Sequence, residues 1–294
     1  MLERLERLGA LAPRLVYGAV GRGRVDALRA RLLARSSKRL DVVAAQVAHA
    51  LHVSGVAVRD RTCLELGSGW VLSHALVLHL LGARSVIATD LTPQAHLPAL
   101  ASAVGGCLPS LVRDVLSPFE DHERLRARLD RLIGVPRWTR EALAELGVEV
   151  VAPLDLAQRP LGRPVDLVYS NSVLEHVPVA DVGALLRNVA RDLAPGGAML
   201  HAVHLEDHAD LTRPFDFLAE DDFAAASQGT RGNRLRASAW QRRLAALPGT
   251  TTRTAWAWRR DAALLPARVS PAVEHEGVDD LRTSHVGLLT VRPA

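Results

Sequence analysis

The stretch Thr62-Cys-Leu-Glu-Leu-Gly-Ser-Gly-Trp70 constrains this chain most, because an apolar run breaks at a Gly-x-Gly turn and passes straight into a helix-length segment, Val71 to Leu81. Gly67 can take backbone angles closed to other residues, and Gly69 leaves no side chain between a ligand and the main chain. The N–H groups that open the helix then face the ligand. A second short strand, Ser85-Val-Ile-Ala-Thr89, ends at Asp90 with Leu91 beside it. That places an acid about twenty residues after the turn, the spacing at which a carboxylate reaches a ribose diol. Asp90 also suits the N-cap of a helix opening near Pro93. The order strand, turn, helix, strand, acid favours the ribose.

Further along, Val148 to Ala152 alternates as a third strand and leads to Asp155. Val165-Asp-Leu-Val-Tyr-Ser-Asn-Ser-Val-Leu-Glu-His-Val177 and the Leu193-Ala-Pro-Gly-Gly197 turn follow. From Glu65-Leu-Gly-Ser-Gly69 onward, with these markers in order, the chain resembles a class I S-adenosylmethionine-dependent methyltransferase. A nicotinamide-binding domain of similar layout usually carries a third glycine after Gly69, where this chain has Val71 and Leu72 after Trp70. The resemblance implies a doubly wound, seven-stranded, mostly parallel α/β sheet that binds S-adenosylmethionine through Glu65, Gly67, Ser68, Gly69, Asp90 and Leu91. Asp155 has the family's adenine position, where its carboxylate accepts from the exocyclic amine while Leu156 covers the ring. A loop aspartate that merely caps a turn is the other reading of Asp155.

With 294 residues and 48% hydrophobic content, the chain can bury one large α/β core. Residues 1–58 read as an N-terminal helical cap or lid, with amphipathic patterns at Leu2, Leu5, Leu8, at Val25, Leu28, Leu32, and at Leu40, Val43, Val47, Leu51. The catalytic domain is expected over 59–294, with a helical insertion at 91–147 and an acceptor-side insertion at 211–249. Val71 to Leu81 is too short for a membrane span and carries His74 and His79, so a cytoplasmic protein without membrane association is expected. The net charge is only +4, Lys38 is the sole lysine, and arginines are interspersed with acids, which argues against nucleic acid as a partner. Cys63 and Cys107 share no metal or redox spacing and read as reduced, structural thiols.

Ser170 and Asn171 close the fourth strand beside the cleft of an open α/β sheet, where they can orient the donor or a substrate hydroxyl. Glu175 reads as a structural acid at a helical turn, and His176 as either structural or catalytic. A helix over Asp181 to Leu193 is expected to stop at the glycines of Ala194-Pro-Gly-Gly197. The fifth strand, Ala198 to His204, runs into His204-Leu-Glu-Asp207-His208, the densest titratable group in the chain. His204 there reads as a general base, with Asp207 fixing its tautomer and His208 beside it. Structural and metal-binding readings of the same group stay open. The metal-assisted small-RNA branch of the family carries a carboxylate one helical turn before a Glu-His pair. Here that place is Ser172, and no metal is expected.

In the acceptor-side insertion, Asn233, Arg234 and Arg236 suit forked hydrogen bonds to carboxylate, phosphate or sugar hydroxyls, with Phe215, Phe217 and Phe223 as apolar walls. An Arg-rich helix start is the alternative. Thr252 to Trp258 and His285 to Val291 are the last strands, which in this family pair antiparallel, with a loop at Pro266 to Asp280 between them. The function expected is methyl transfer from S-adenosylmethionine to a small-molecule or glycan-like acceptor, at oxygen in preference to nitrogen. The alternatives are a non-catalytic binding module of the same fold or an NAD(P)-dependent oxidoreductase.

Overall fold

The computed structural model describes residues 39–93 and 95–294. The helical patterns read at 1–38 lie outside the described residues. The first described helix, α1 (Leu40–Ser54), buries Leu40, Val43, Val47 and Leu51, the apolar stripe read from the sequence. These side chains share one core with Leu76 and Leu80 of the helix after the glycine turn and with Tyr169 beneath the sheet.

Seven strands follow: β1 (Thr62–Leu66), β2 (Ser85–Thr89), β3 (Val148–Val151), β4 (Val165–Asn171), β5 (Leu193–His204), β6 (Thr251–Arg259) and β7 (Thr283–Val291). They form one sheet in the order β3-β2-β1-β4-β5-β7-β6. Strands β1 to β5 pair in parallel, and β7 runs antiparallel between β5 and β6. This is the doubly wound, mostly parallel sheet expected. β1 and β4 are buried almost throughout because helices cover both faces, whereas edge strand β6 carries exposed Thr and Arg.

The flanking helices are α2 (Ser73–Leu80), α3 (Leu97–Gly105), α4 (Pro109–Leu116), α5 (His122–Ile133), α6 (Arg140–Glu145), α7 (Val179–Asp192), α8 (Ala225–Arg231), α9 (Ala237–Ala245) and α10 (Val278–Leu281). Between β2 and β3, where a helical insertion was expected, the described residues form α3, α4, α5 and α6. Gly105 and Gly106 end α3 and Pro109 begins α4, so the apolar run from Leu97 to Leu116 is divided between two helices. Among the described residues no single helix is long and apolar enough to cross a membrane. Only α3 and α4 together pass on length and composition, and they meet at 84°.

Two expectations change. Helix α7 ends at Asp192 in an extended residue, Leu193, so the left-handed Gly196 (φ 73°) lies within the irregular start of β5 and is not the helix stop. Strand β5 already begins at Leu193, opposite Val165. The segment between β6 and β7 is also no bare loop, since Val273 and Leu281 pack with Phe215, Phe217 and Leu218 in a small core of their own.

Candidate active site

At the carboxyl ends of β1, β2 and β4 lies a cleft of about 290 Å³, near the lower end of the range for small-molecule sites. Gly67 and Asp90 line one side, with Leu154, Asp155 and Leu156 beyond them and Val173, His176 and Leu185 opposite. Gly67 has φ 68°, and a Cβ there would stand 2.6 Å from both methyls of Val173. Only glycine lets the turn pass under the loop after β4. Gly69 also has a positive φ, 60°, with open space where its Cβ would be. Its N–H donates to Asp90 Oδ2 at 2.8 Å, while Asp90 Oδ1 accepts from Thr92 N–H at 2.9 Å. Asp90 therefore knits the turn to its own loop and does not cap a helix, since α3 is capped by His96. Asp155 Oδ1 accepts from the N–H of Ala157 at 2.9 Å, which orders its loop and leaves the second oxygen for a ligand.

Other expected donor residues stand back from this cleft. Glu65 is buried, with Oε1 3.6 Å from His74 Nδ1. The Ser68 hydroxyl is buried as well, and its N–H continues the sheet by donating to Thr89 O at 2.8 Å. Ser170 lies inside the core with its hydroxyl 2.8 Å from His201 Nδ1, and the half-buried Asn171 pairs with Ala202. Leu91 and Leu156 do line the cleft.

Beyond the cleft, the chain leaves β4 through Ser172, held at φ 53°, and a single 3-10 turn over Leu174–His176. This tight turn sends neighbouring side chains different ways. His176 joins the cleft wall, with Nδ1 3.0 Å from the carbonyl of Gly229, while Glu175 points inward and is 2% exposed. The rings of His176, His208, His204 and His285 touch in series, with centroids 4.6, 4.4 and 4.3 Å apart. His285 arrives because β7 pairs with β5 so that it stands opposite His204.

His204 Nε2 lies 2.8 Å from Glu206 Oε2, and Glu206 Oε1 accepts from Arg260 Nε at 2.7 Å. Burial works against the charge on Glu206, but the bonds from His204 and Arg260 prevail and hold its carboxyl down at about 2. Burial, then its histidine neighbours, lowers His208 to about 3, and His285 falls to about 4 for similar reasons. Both rings are neutral near pH 7. Burial raises Glu175 to about 8.

The partnership expected between Asp207 and a histidine is absent. Asp207 Oδ2 accepts from Arg231 Nε and Nη2 at 3.0 and 2.7 Å, and Glu206 takes the histidine-orienting place. The expected acceptor residues are likewise committed to the fold. Arg236 is fully buried and donates to the carbonyls of Leu205, Leu281 and Thr283. Asn233 donates to those of Leu174 and Val177, and Arg234 to those of Phe217 and Glu220. Phe215 and Phe217 are core residues, and Phe223 lies under the guanidinium groups of Arg231 and Arg234.

Glu175, Glu206 and His285 were not among the sequence's candidate residues. Glu206 stands inside the titratable run and was legible there. The burial of Glu175 and the register of β7 leave no mark in the residue pattern.

A profile of the methyltransferase domain matches residues 23–247. The chain belongs to this family. The match bears out the resemblance read from Glu65 to Gly69 and from Val165 to Val177. A search of curated proteins gives no match. Solved structures similar to this methyltransferase-family chain include an S-adenosylmethionine-dependent methyltransferase from Mesorhizobium loti, 18% identical, with 83% of this chain and 96% of that one covered at a TM-score of 0.46. Magnesium protoporphyrin IX methyltransferase from Synechocystis PCC 6803 with bound SAH is 16% identical over 86% and 82%, with a TM-score of 0.44. The N-methyltransferase NodS from Bradyrhizobium japonicum WM9 is 14% identical over 85% and 94%, at 0.41. Likeness of this degree says nothing about acceptor or site.

Proposed function

We propose that the protein transfers a methyl group from S-adenosylmethionine to a hydroxyl of a small-molecule or glycan-like acceptor. The observation that carries this reading is the double position of His176, which lines the Gly67–Asp90–Asp155 cleft and also touches the histidine row. When bound, S-adenosylmethionine supplies an electrophilic methyl carbon on a sulfonium, whose sulfur keeps the bonding electron pair as the methyl leaves.

The residues present fit that cofactor. Asp90, fixed by Gly69 N–H, has lone pairs left for ribose hydroxyls, and the side-chain-free space over Gly69 admits the donor's chain. Asp155 offers an acceptor for the exocyclic amine, with Leu156 and Leu185 as apolar cover for the adenine. On the acceptor side, His176 donates Nδ1–H to Gly229 O, which places its proton-accepting lone pair on Nε2. His176 takes the hydroxyl proton as the oxygen attacks. This assigns the base to His176 in preference to His204, whose ring is bonded to Glu206 and stacked on His285. A hydroxyl needs such a base more than an unprotonated amine does, hence the preference for oxygen.

Calorimetric titration with S-adenosylmethionine, S-adenosylhomocysteine and NAD tests the cofactor. Binding of the first two without NAD is expected, and binding of NAD alone overturns the reading. An acceptor screen follows, and turnover confined to amines would discard the oxygen preference.

A further inference from the structure

Behind His176 lie two buried polar atoms, Glu175 Oε2 and His208 Nε2, that have no hydrogen-bond partner among the described residues. The other carboxylate oxygen, Glu175 Oε1, accepts from His204 N–H at 3.3 Å and lies 3.6 Å from His208 Nε2. Leaving such groups unmet costs about 1–3 kcal/mol each. His204 completes the group, since one donor atom from each of Glu175, His204 and His208 lies within 4.8 Å of the other two.

We propose that Glu175, His204 and His208 bind one divalent transition ion of the zinc class, at a site one ring away from the methyl-donor cleft. The sequence-based expectation of no metal rested on Ser172, and this ligand set does not use that position. The 3.6 Å separation is close to the edge of a tetrahedron with bonds of about 2.1 Å, roughly 3.4 Å. Two imidazoles and one carboxylate favour zinc, cobalt or ferrous iron over magnesium, which prefers oxygen alone, and three protein ligands leave a position open.

The surroundings support the ligands. The Glu206 carboxylate, held by Arg260, accepts from His204 Nε2–H and so leaves the ring's lone pair on Nδ1. A carboxylate behind a ligating histidine in this way fixes its tautomer and raises its basicity. A second grouping, His204 with Glu206 and His285, has its atoms as near one another. There the two rings stack at an interplanar angle of 11°, so their in-plane lone pairs run side by side instead of converging on one point. That grouping supports the site and does not form it.

An acceptor hydroxyl in the open position would lose its proton more readily, and His176, in contact with His208, stands nearest to receive it. This role rests on the methyl-transfer reading, whereas the ion site does not.

The full chain, freed of metal by chelation, is titrated with Zn²⁺ by calorimetry and with Co²⁺ by visible absorption, beside the variants Glu175→Gln and His208→Ala. S-adenosylhomocysteine binding and thermal melting are measured on all three. The expected result is one equivalent bound by the parent, Co²⁺ bands of low-symmetry coordination, and at least a tenfold loss of affinity in each variant with donor binding kept within about threefold. No stoichiometric binding by the parent overturns the proposal, and so does equal affinity in parent and folded variants. The parent's titration decides the matter even if a variant does not fold. Ion binding without donor binding keeps the site and removes its role in methyl transfer.

Discussion

Asp90 joins turn and ligand in one carboxylate, and its removal should be felt twice. Asp90→Ala deletes the acceptor proposed for the ribose and also frees the Gly69 N–H from its 2.8 Å bond. Hydrogen bonds from the two ribose hydroxyls to a charged group, at about 1.5 kcal/mol or more each, predict at least a hundredfold weaker S-adenosylhomocysteine binding by calorimetry, while the freed Gly69 N–H lowers stability instead. Retained affinity would refute the donor site. His176→Gln should behave in the opposite way. It keeps a polar side chain in the cleft wall but loses the base, so donor affinity should stay within about threefold while kcat on a hydroxyl acceptor falls by about 10² or more. At this scale the sequence showed part of the candidate cleft. Gly67, Asp90 and Asp155, read as donor residues from local spacing along the chain, line it together. Arg236 was misread because a guanidinium that satisfies three main-chain carbonyls carries the same letter as one that binds an acceptor.

The elements were more legible than the residues. Parallel strands covered on both faces need near-continuous apolar runs, so Thr62–Leu66 and Val165–Asn171 announced themselves. What was hidden is what long-range register decides, above all the pairing of β5 with β7 that brings His285 to His204. Gly287 in β7 illustrates the same dependence. It stands opposite Trp256, where β6 has a register irregularity, and a Cβ there would lie 2.0 Å from the Trp256 ring. The indole occupies the place of a side chain. Gly287→Ala must push the ring or the strand aside, which predicts destabilisation of about 2–3 kcal/mol in urea unfolding, the upper end of overpacking costs. A loss under about 0.5 kcal/mol would mean that Trp256 moves freely, and that β6 does not depend on this contact.

For the whole molecule, a single sheet core explains why the unfolding of all layers should respond to the protonation of a few buried rings. His201 in β5 is fully buried with its Nδ1 against Ser170, and burial lowers its pKa to about 4. His79 in α2 is lowered to about 4 by burial and then by Arg128 and Arg131. In both cases the folded value lies below the ordinary histidine value near 6.5. The unfolded chain therefore binds the proton first as pH falls. Stability from these groups is complete above about pH 6.5, declines from there to about pH 4, and declines no further below it. For His201 alone the difference between about pH 7.5 and about pH 4.5 comes to roughly 2 kcal/mol or somewhat more. Carboxylates held by arginines add their own acid loss, so the test is the difference between two proteins. His201→Gln keeps an acceptor for Ser170 but cannot take up a proton. Urea unfolding of parent and variant at the two pH values should show the variant's acid loss smaller by about 2 kcal/mol. Equal losses would mean that His201 meets water in the folded protein, and that the sheet is less closed at its centre than its packing implies.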